Sequence, residues 1–216
     1  MNNGISKPGV LVTFEGVEGV GKTTLIRFIT KYLSHHNIPL LVTREPGGTP
    51  LADDIRHFLL SKHAEKMQPE TELLLIFAAR AQHLQNVIHP ALKAGKLVIC
   101  DRFTDTSYAY QGAGRGINKA KIEILEKTVQ DDLKPDLTIL LDAPIDVCLA
   151  RIVAREKTDR FESESKSFFQ KARHAYLQMA AADPERFRVI DAAQPMTVVE
   201  EEVVKFLQPI IKMVTA

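Results

Sequence analysis

The sequence predicts an α/β fold built on a mainly parallel, five-stranded sheet flanked by helices, and three observations carry that reading. Strand-length apolar runs alternate with segments of helical periodicity along the chain. Those runs are near-continuous, as suits strands covered by helices on both faces. A glycine-rich turn, Gly16-Val17-Glu18-Gly19-Val20-Gly21-Lys22-Thr23, joins the first run to the first helical segment and matches G-x-x-x-x-G-K-[ST] at every fixed position.

At 216 residues the chain suits one large domain with a sizeable core, and no repeat, low-complexity tract or Pro/Ser-rich linker marks a boundary. A formal net charge of +1 gives no electrostatic case for long nucleic acid or an anionic membrane, so a bound nucleotide should be a small molecule. The longest apolar runs are strand-length, too short to span a bilayer. Met1 to Gly9 reads as a loose leader, not a signal peptide. Cys100 and Cys148 sit among apolar neighbours without C-x-x-C spacing and read as reduced core residues of a cytosolic protein.

The first strand is placed at Val10–Glu15. After it, the glycines let the backbone wrap phosphate oxygens, and a helix over 22–35 (Leu25, Ile26, Ile29 and Leu33 at helical spacing) aims its N-terminal amides at them. Lys22 can reach the β- and γ-phosphates and the Thr23 hydroxyl can ligate Mg²⁺, which makes this a nucleoside-triphosphate site. The second strand, Leu40–Arg44, runs into Arg44-Glu45-Pro46-Gly47-Gly48-Thr49. That is a turn first, but an arginine at a strand's carboxyl end could fork onto the phosphate of a second substrate. Helices follow over 51–61, behind Pro50, and 69–94, opened by Pro69-Glu70. Leu73 to Phe77 reads as buried, so Arg80 one turn later reads as partnered, the alternative being a surface arginine.

The third strand, Leu97–Asp101, ends in Asp101-Arg102-Phe103. Burying both charges is costly unless each has a partner. Either they pair with each other, or Asp101 faces Mg²⁺ through water while Arg102 binds phosphate; the nearby phosphate loop favours the second. Thr104 to Gly116 carries Ser107, Tyr108, Tyr110 and Gln111, a set suited to base and sugar recognition, although either tyrosine alone reads equally well as core. Strands at Leu137–Leu141 and Phe187–Ile190 and helices over 119–133, 145–155, 164–182 and 197–213 complete the alternation. Arg151, Arg155, Lys157 and Arg160 form either a solvated helix face or a cationic segment that meets the charge of a transferring phosphoryl group. No H-E-x-x-H or G-x-S-x-G spacing occurs.

With Gly16 to Thr23, Arg44 to Thr49, Asp101-Arg102-Phe103 and Tyr110-Gln111-Gly112 in order, the chain resembles bacterial thymidylate kinase over about residues 10 to 210. The resemblance implies the P-loop nucleoside-monophosphate kinase fold, a homodimer, and a short mobile lid at roughly residues 151–163. It implies transfer of the γ-phosphate of ATP to dTMP with Mg²⁺, giving ADP and dTDP on the route to dTTP. Lys22, Arg102 and Arg155 would be catalytic. The loop Gly16 to Thr23, with Val17, Glu18, Gly19, Val20 and Gly21 in it, would bind ATP together with Thr24, Arg151 and Arg160. Thr23 and, through water, Asp101 would serve the metal. Arg44 and Arg102 would hold the dTMP phosphate, and Arg80 and Gln111 the thymine edge. Tyr110 would crowd the sugar's 2′ position, Glu18 would lie near sugar and magnesium, and Leu51, Phe77 and Ser107 would complete the acceptor set.

Many family members carry a Phe four residues before the thymine-binding arginine; here that position is Ile76, with Phe77 beside it. Helical geometry puts Phe77 on a different bearing, so Ile76 is expected against the base. The loop holds no basic residue at its variable positions, and arginines sit instead in the segment ending Asp159-Arg160-Phe161-Glu162, similar to the lid-arginine type of many Gram-negative enzymes. Competing readings are a kinase of another acceptor (dUMP, dCMP or a deoxynucleoside), a P-loop ATPase acting as a binding or partitioning module, where the near-neutral charge disfavours stimulation by DNA, and a structural protein with a dead site, which the intact Lys22 and Thr23 disfavour.

Overall fold

The computed structural model describes residues 9–36, 38–154 and 160–215. Within them β1 (Val10–Glu15), β2 (Leu40–Arg44), β3 (Leu97–Asp101), β4 (Leu137–Asp142) and β5 (Phe187–Asp191) form one parallel sheet in the order β2-β3-β1-β4-β5. The expected strands are present, with β4 and β5 each one residue longer than the apolar run that marks it. Around the sheet lie α1 (Lys22–Ser34), α2 (Pro50–Leu60), α3 (Pro69–His83), α4 (His89–Lys93), α5 (Thr104–Ser107), α6 (Lys119–Gln130), α7 (Ile145–Val153), α8 (Lys166–Ala182) and α9 (Met196–Thr215).

The central strand β1 is buried along its whole length. Its alternation sends Val10, Val12 and Phe14 into the larger apolar cluster with Leu25, Ile29 and Leu33 of α1 and Val203 and Leu207 of α9. Each such fully buried aliphatic contributes roughly 1.5–3 kcal/mol. Leu11 faces the other way, towards Val98, Cys100, Leu84 and Ile88. Thr13 and Glu15 share Leu11's face, so that face turns polar at the carboxyl end of the strand, where the loop begins.

Two stretches differ from the sequence expectation. The helix expected over 69–94 is interrupted: α3 passes into a π-helical stretch, Leu84–Ile88, before α4. Pro90 has no N–H for the preceding turn and its ring crowds the carbonyl four residues back, which a widened turn relieves. Thr104 to Gly116, read as a polar segment, is largely helical, with α5 followed by a π-helical stretch, Tyr108–Gly114. Short polar residues disfavour a helix when their side chains compete for the local backbone. Here Ser107 and Gln111 are bonded to Arg80 and Glu72, from a different helix, so that competition is gone. Elsewhere the helix starts are conventional: Thr49 accepts from the Ala52 amide at 3.1 Å with Pro50 in the first turn, and Ser165 caps α8 through Phe168 at 3.2 Å.

Candidate active site

The carboxyl ends of β1, β2 and β3 open into one cleft, where ligands of such sheets bind. Its first wall is the glycine-rich loop. Gly16, Gly19 and Gly21 have φ of 134°, 74° and 110°, conformations that a side chain would resist. Gly21 is the N-cap of α1, its cap carries no side-chain hydrogen bond, and the first turn holds no acidic residue. The amides and the positive end of the helix dipole are therefore left to meet an anion. Lys22 is buried and its Nζ donates to the carbonyls of Gly16 at 2.9 Å and Val17 at 3.1 Å. Burial first, and Arg102 second, push its pKa below the ordinary lysine value. Val17 and Val20 point their side chains into the core, so these positions present only backbone to a ligand.

Arg102 follows β3 in a left-handed conformation, φ 71°, with its amide bonded to the Phe14 carbonyl at 3.0 Å. Its guanidinium donates to Glu18 Oε1 at 2.6 Å, to the Gly16 carbonyl at 3.0 Å and to Thr106 Oγ1 at 3.2 Å. It also lies 5.0 Å from the centre of the Tyr110 ring. Burial opposes its charge, but Glu18 raises its pKa well above the ordinary value. For Glu18, burial acts upward, yet Arg102 and Lys22 together hold the carboxyl below the usual range. The alternative in which Asp101 and Arg102 pair is thus corrected: Arg102 is taken by Glu18, and Asp101 Oδ1 is buried without a hydrogen-bond partner among the described residues. The phenol of Tyr110 accepts from the Glu18 amide at 3.1 Å, which ties the loop to the helical turn after α5.

The opposite end of the cleft is made of side chains. Arg80 is 2 % exposed; its Nε donates to Glu45 Oε2 at 2.6 Å and its Nη2 to Ser107 Oγ at 3.1 Å. Glu45 also contacts His83 Nδ1 at 3.1 Å. Burial raises the pKa of Glu45, but Arg80 and His83 together bring it below the usual carboxylate value. Gln111 donates from Nε2 to Glu72 Oε1 at 2.8 Å, and its Oε1 is buried without a partner among the described residues. Ile76 lines this end.

Several expected site residues lie elsewhere. Phe77 faces away from the cleft into a cluster with Leu73, Ile117 and Ile122, its ring 4.5 Å from the Arg80 guanidinium carbon, so it supports the arginine from behind. Ser107 is fully buried beneath Arg80 and does not line the cleft. Leu51 is on the outer side of α2, 54 % exposed, and is not a wall either. Arg151 donates to the carbonyls of Val20 at 3.3 Å and Ala192 at 3.1 Å, bracing the loop from the outside. Arg160, expected among the ATP contacts, is docked beside Gln111: it donates to the Leu59 carbonyl at 2.7 Å and pairs with Glu72 at 2.7 Å. Thr23, Thr24 and Arg44 do line the cleft, Arg44 with a loose tether to Asp53 at 3.2 Å. Arg155 lies outside the described residues.

Sequence reasoning missed Glu15, Glu72 and Arg56. Glu15 accepts from the Phe103 amide at 2.7 Å, Thr106 at 2.6 Å and Tyr176 at 2.9 Å, and burial, reinforced by Asp105, pushes its pKa up to about 7. Arg56 lines the cleft and donates to the Pro46 carbonyl at 2.9 Å. For Glu72 a signal existed. Glu72, Ile76 and Arg80 are spaced by four and share one helix face, so a carboxylate there stands with the two cleft-lining residues Ile76 and Arg80.

Comparison with known proteins gives a consistent picture. Residues 14–203 match the family model described as thymidylate kinase. The thymidylate kinase of Pseudomonas savastanoi pv. phaseolicola is 53% identical over 192 residues, covering 89% of this chain and 91% of its own. That of Pseudomonas fluorescens strain SBW25 is 54% identical over 195 residues, covering 90% and 93%. The crystal structure of thymidylate kinase from Ehrlichia chaffeensis superposes with a TM-score of 0.75 at 34% identity, covering 93% of this chain and 100% of its own.

Proposed function

The chain belongs to the thymidylate kinase family, and from that premise we propose how its residues divide the work. It transfers the γ-phosphate of ATP to dTMP. The observation that supports the residue assignment is one cleft with a phosphate-binding loop and Arg102 at one end and the buried pair Arg80 and Gln111 at the other. ATP takes the loop amides, Lys22 and Thr23. The acceptor phosphate takes Arg102 and Arg44, and the thymine takes Arg80, Gln111 and the apolar surface of Ile76.

The acceptor is a phosphate already largely ionised at neutral pH, so no general base is needed. The obstacle is like charge: two unit charges about 4 Å apart repel by roughly 4 kcal/mol at an effective dielectric of 20. Lys22 and Arg102 offset that repulsion from fixed, buried positions, so little reorganisation is needed as charge moves between oxygens. The residues fit a magnesium ion: Asp101 Oδ1 is buried without a partner among the described residues, and Thr23 lines the same cleft. When bound, Mg²⁺ would neutralise charge on the β- and γ-phosphates.

The same reading takes the whole chain as one kinase unit, with residues 151–163 as the lid and Arg155 its catalytic cation. It also takes the protein as a cytoplasmic homodimer. Leu51 and Phe58, seven apart on one face of α2, are exposed, as is Leu74 of α3, the helix packed against α2, which supports an interface there. Both free cysteines are buried, and no helix among the described residues is long and apolar enough to cross a membrane.

A coupled ADP-release assay with and without dTMP tests the assignment. ADP release should depend on dTMP. Equal release in both arms would remove the acceptor, and a preference for dCMP over dTMP would remove the thymine contacts.

A further inference from the structure

The geometry points to Glu72 as a positioning residue that sets acceptor specificity, by dictating which atom of Gln111 faces the base. The inference rests on the reading of Gln111 as a base contact. Glu72 is 1 % exposed and stands one helical turn before Ile76 and two before Arg80, behind the wall that those two form. Its carboxylate receives donors from three directions: Gln111 Nε2 at 2.8 Å, Arg115 Nε and Nη2 at 3.1 Å each, and Arg160 Nη1 at 2.7 Å. Arg115 is itself anchored to Glu164 at 2.6 Å. Burial raises the Glu72 pKa, but Arg115 and the other donors bring it below the usual value, so the group stays ionised at neutral pH.

An ionised carboxylate only accepts hydrogen bonds. The oxygen and nitrogen of a glutamine amide are told apart by their neighbours, and here the neighbour leaves one choice. Nε2 must face Glu72, which turns Oε1 away from Glu72; it is buried and unpartnered among the described residues, on a side chain that lines the cleft. A buried lone acceptor selects a base edge that carries a donor. Thymine and uracil offer N3–H, whereas N3 of cytosine is itself an acceptor and would leave two lone pairs opposed. Arg80 beside it can only donate and suits the neighbouring carbonyl O4 of thymine, which cytosine replaces with an amino donor.

At position 72 a neutral amide both donates and accepts, so either orientation of Gln111 then finds a partner. Glu72→Gln should therefore lower the ratio of kcat/KM for dTMP over dCMP by at least ~10-fold, chiefly through a higher KM for dTMP. Glu72→Asp keeps an acceptor-only group and should keep that ratio even if both KM values rise. An unchanged ratio in folded Glu72→Gln overturns the inference and leaves Glu72 a structural anchor. If Glu72→Gln melts below the assay temperature, Glu72→Asp carries the test, and a collapsed ratio there overturns it. Gln111→Leu separates the two readings: a ratio unchanged in that variant removes Gln111 from base recognition and this inference with it. A ratio that falls in Gln111→Leu but not in Glu72→Gln removes Glu72 alone.

Discussion

In the assignment proposed above, the two ends of the cleft bind by different means. The phosphate end is mostly backbone: a loop of contiguous residues, the open amides of α1, and the carbonyls of Gly16 and Val17 that hold Lys22. The base end is mostly side chains brought from distant segments, with Glu45 and Glu72 each locked by arginines. A phosphate is a diffuse anion that any convergent set of amides and cations will hold. A base must be distinguished from its analogues, so its donors and acceptors have to be fixed in orientation. The carboxyl groups record the same contrast. Arg80 with His83 keeps Glu45, and Arg115 with Arg160 keeps Glu72, below the ordinary pKa, whereas burial, reinforced by Asp105, pushes Glu15 up to about 7.

The sharpest way to break this comparison is to remove Lys22, a cation held by the loop carbonyls of Gly16 and Val17. Lys22→Met should lower kcat by about three orders of magnitude, the upper scale for losing one transition-state donor. The fold should survive, because the lysine's partners are carbonyls that water can serve. Steady-state kinetics alongside a thermal melt decide the matter; a large kcat loss with an unchanged melt is the expected pair.

Glu15 tests whether the phosphate end carries unrelieved electrostatic cost. Its folded pKa is above the ordinary 4.5, so between that value and about 7 the folded protein holds a proton that the unfolded chain has released. Stability from this group is then complete below pH 4.5 and falls as pH rises through about 7. The shift corresponds to about 3 kcal/mol. Urea unfolding at pH 5 and pH 7.5 should show Glu15→Gln losing less stability across that interval than the parent. An identical pH slope in both would remove Glu15 as the cause. The base-end carboxylates run the opposite way: their stabilisation is present above the usual carboxylate range and lost as pH falls.

Arg155→Ala should lower kcat by about two orders of magnitude while leaving the fold unchanged. The expectation is sequence-based, since the loop's variable positions Val17, Glu18 and Val20 supply no cation of their own. An unchanged kcat would move the catalytic charge elsewhere, with Arg56 the first candidate because it already lines the cleft.

The same division explains what could be read in the sequence. The phosphate end is local, so its residues stand side by side and their spacing is the geometry: Gly16 to Thr23 and Asp101-Arg102 were legible as they stood. The five strands were legible too, and for β1, β3 and β4 the reason is that a buried parallel strand is a continuous apolar run. At the base end the register of one helix face had to be combined with contacts between separate segments. Arg80 was legible as a partnered arginine but its partner Glu45 was not, since the two are 35 residues apart and meet only once β2 and α3 are packed. Arg160 shows the limit most clearly. Its sequence neighbourhood gave no sign of its pairing with a buried carboxylate on α3, a contact between segments that only the fold brings together.

The smallest expected effect sharpens the comparison most, because it concerns a residue that belongs to neither scheme. Arg44 stands at the end of β2 between the two regions, 56% exposed, and its pair with Asp53 is also open to solvent. Exposed pairs of this kind contribute less than about 1 kcal/mol, so Arg44→Ala should leave the melting temperature within a few degrees of the parent. Its contribution to binding is expected to be larger than to stability, because a guanidinium with a loose tether can turn from Asp53 to a bidentate grip on an incoming phosphate. The KM for dTMP should rise by about tenfold with kcat nearly unchanged, the pattern of lost uniform binding. Arg102, bonded to Glu18 and to the Gly16 carbonyl, cannot move in that way and should show its loss in kcat instead. If Arg44→Ala lowers kcat and leaves KM alone, Arg44 acts on the transferring group, and the cleft is better divided by distance from the γ-phosphate than by backbone against side chain.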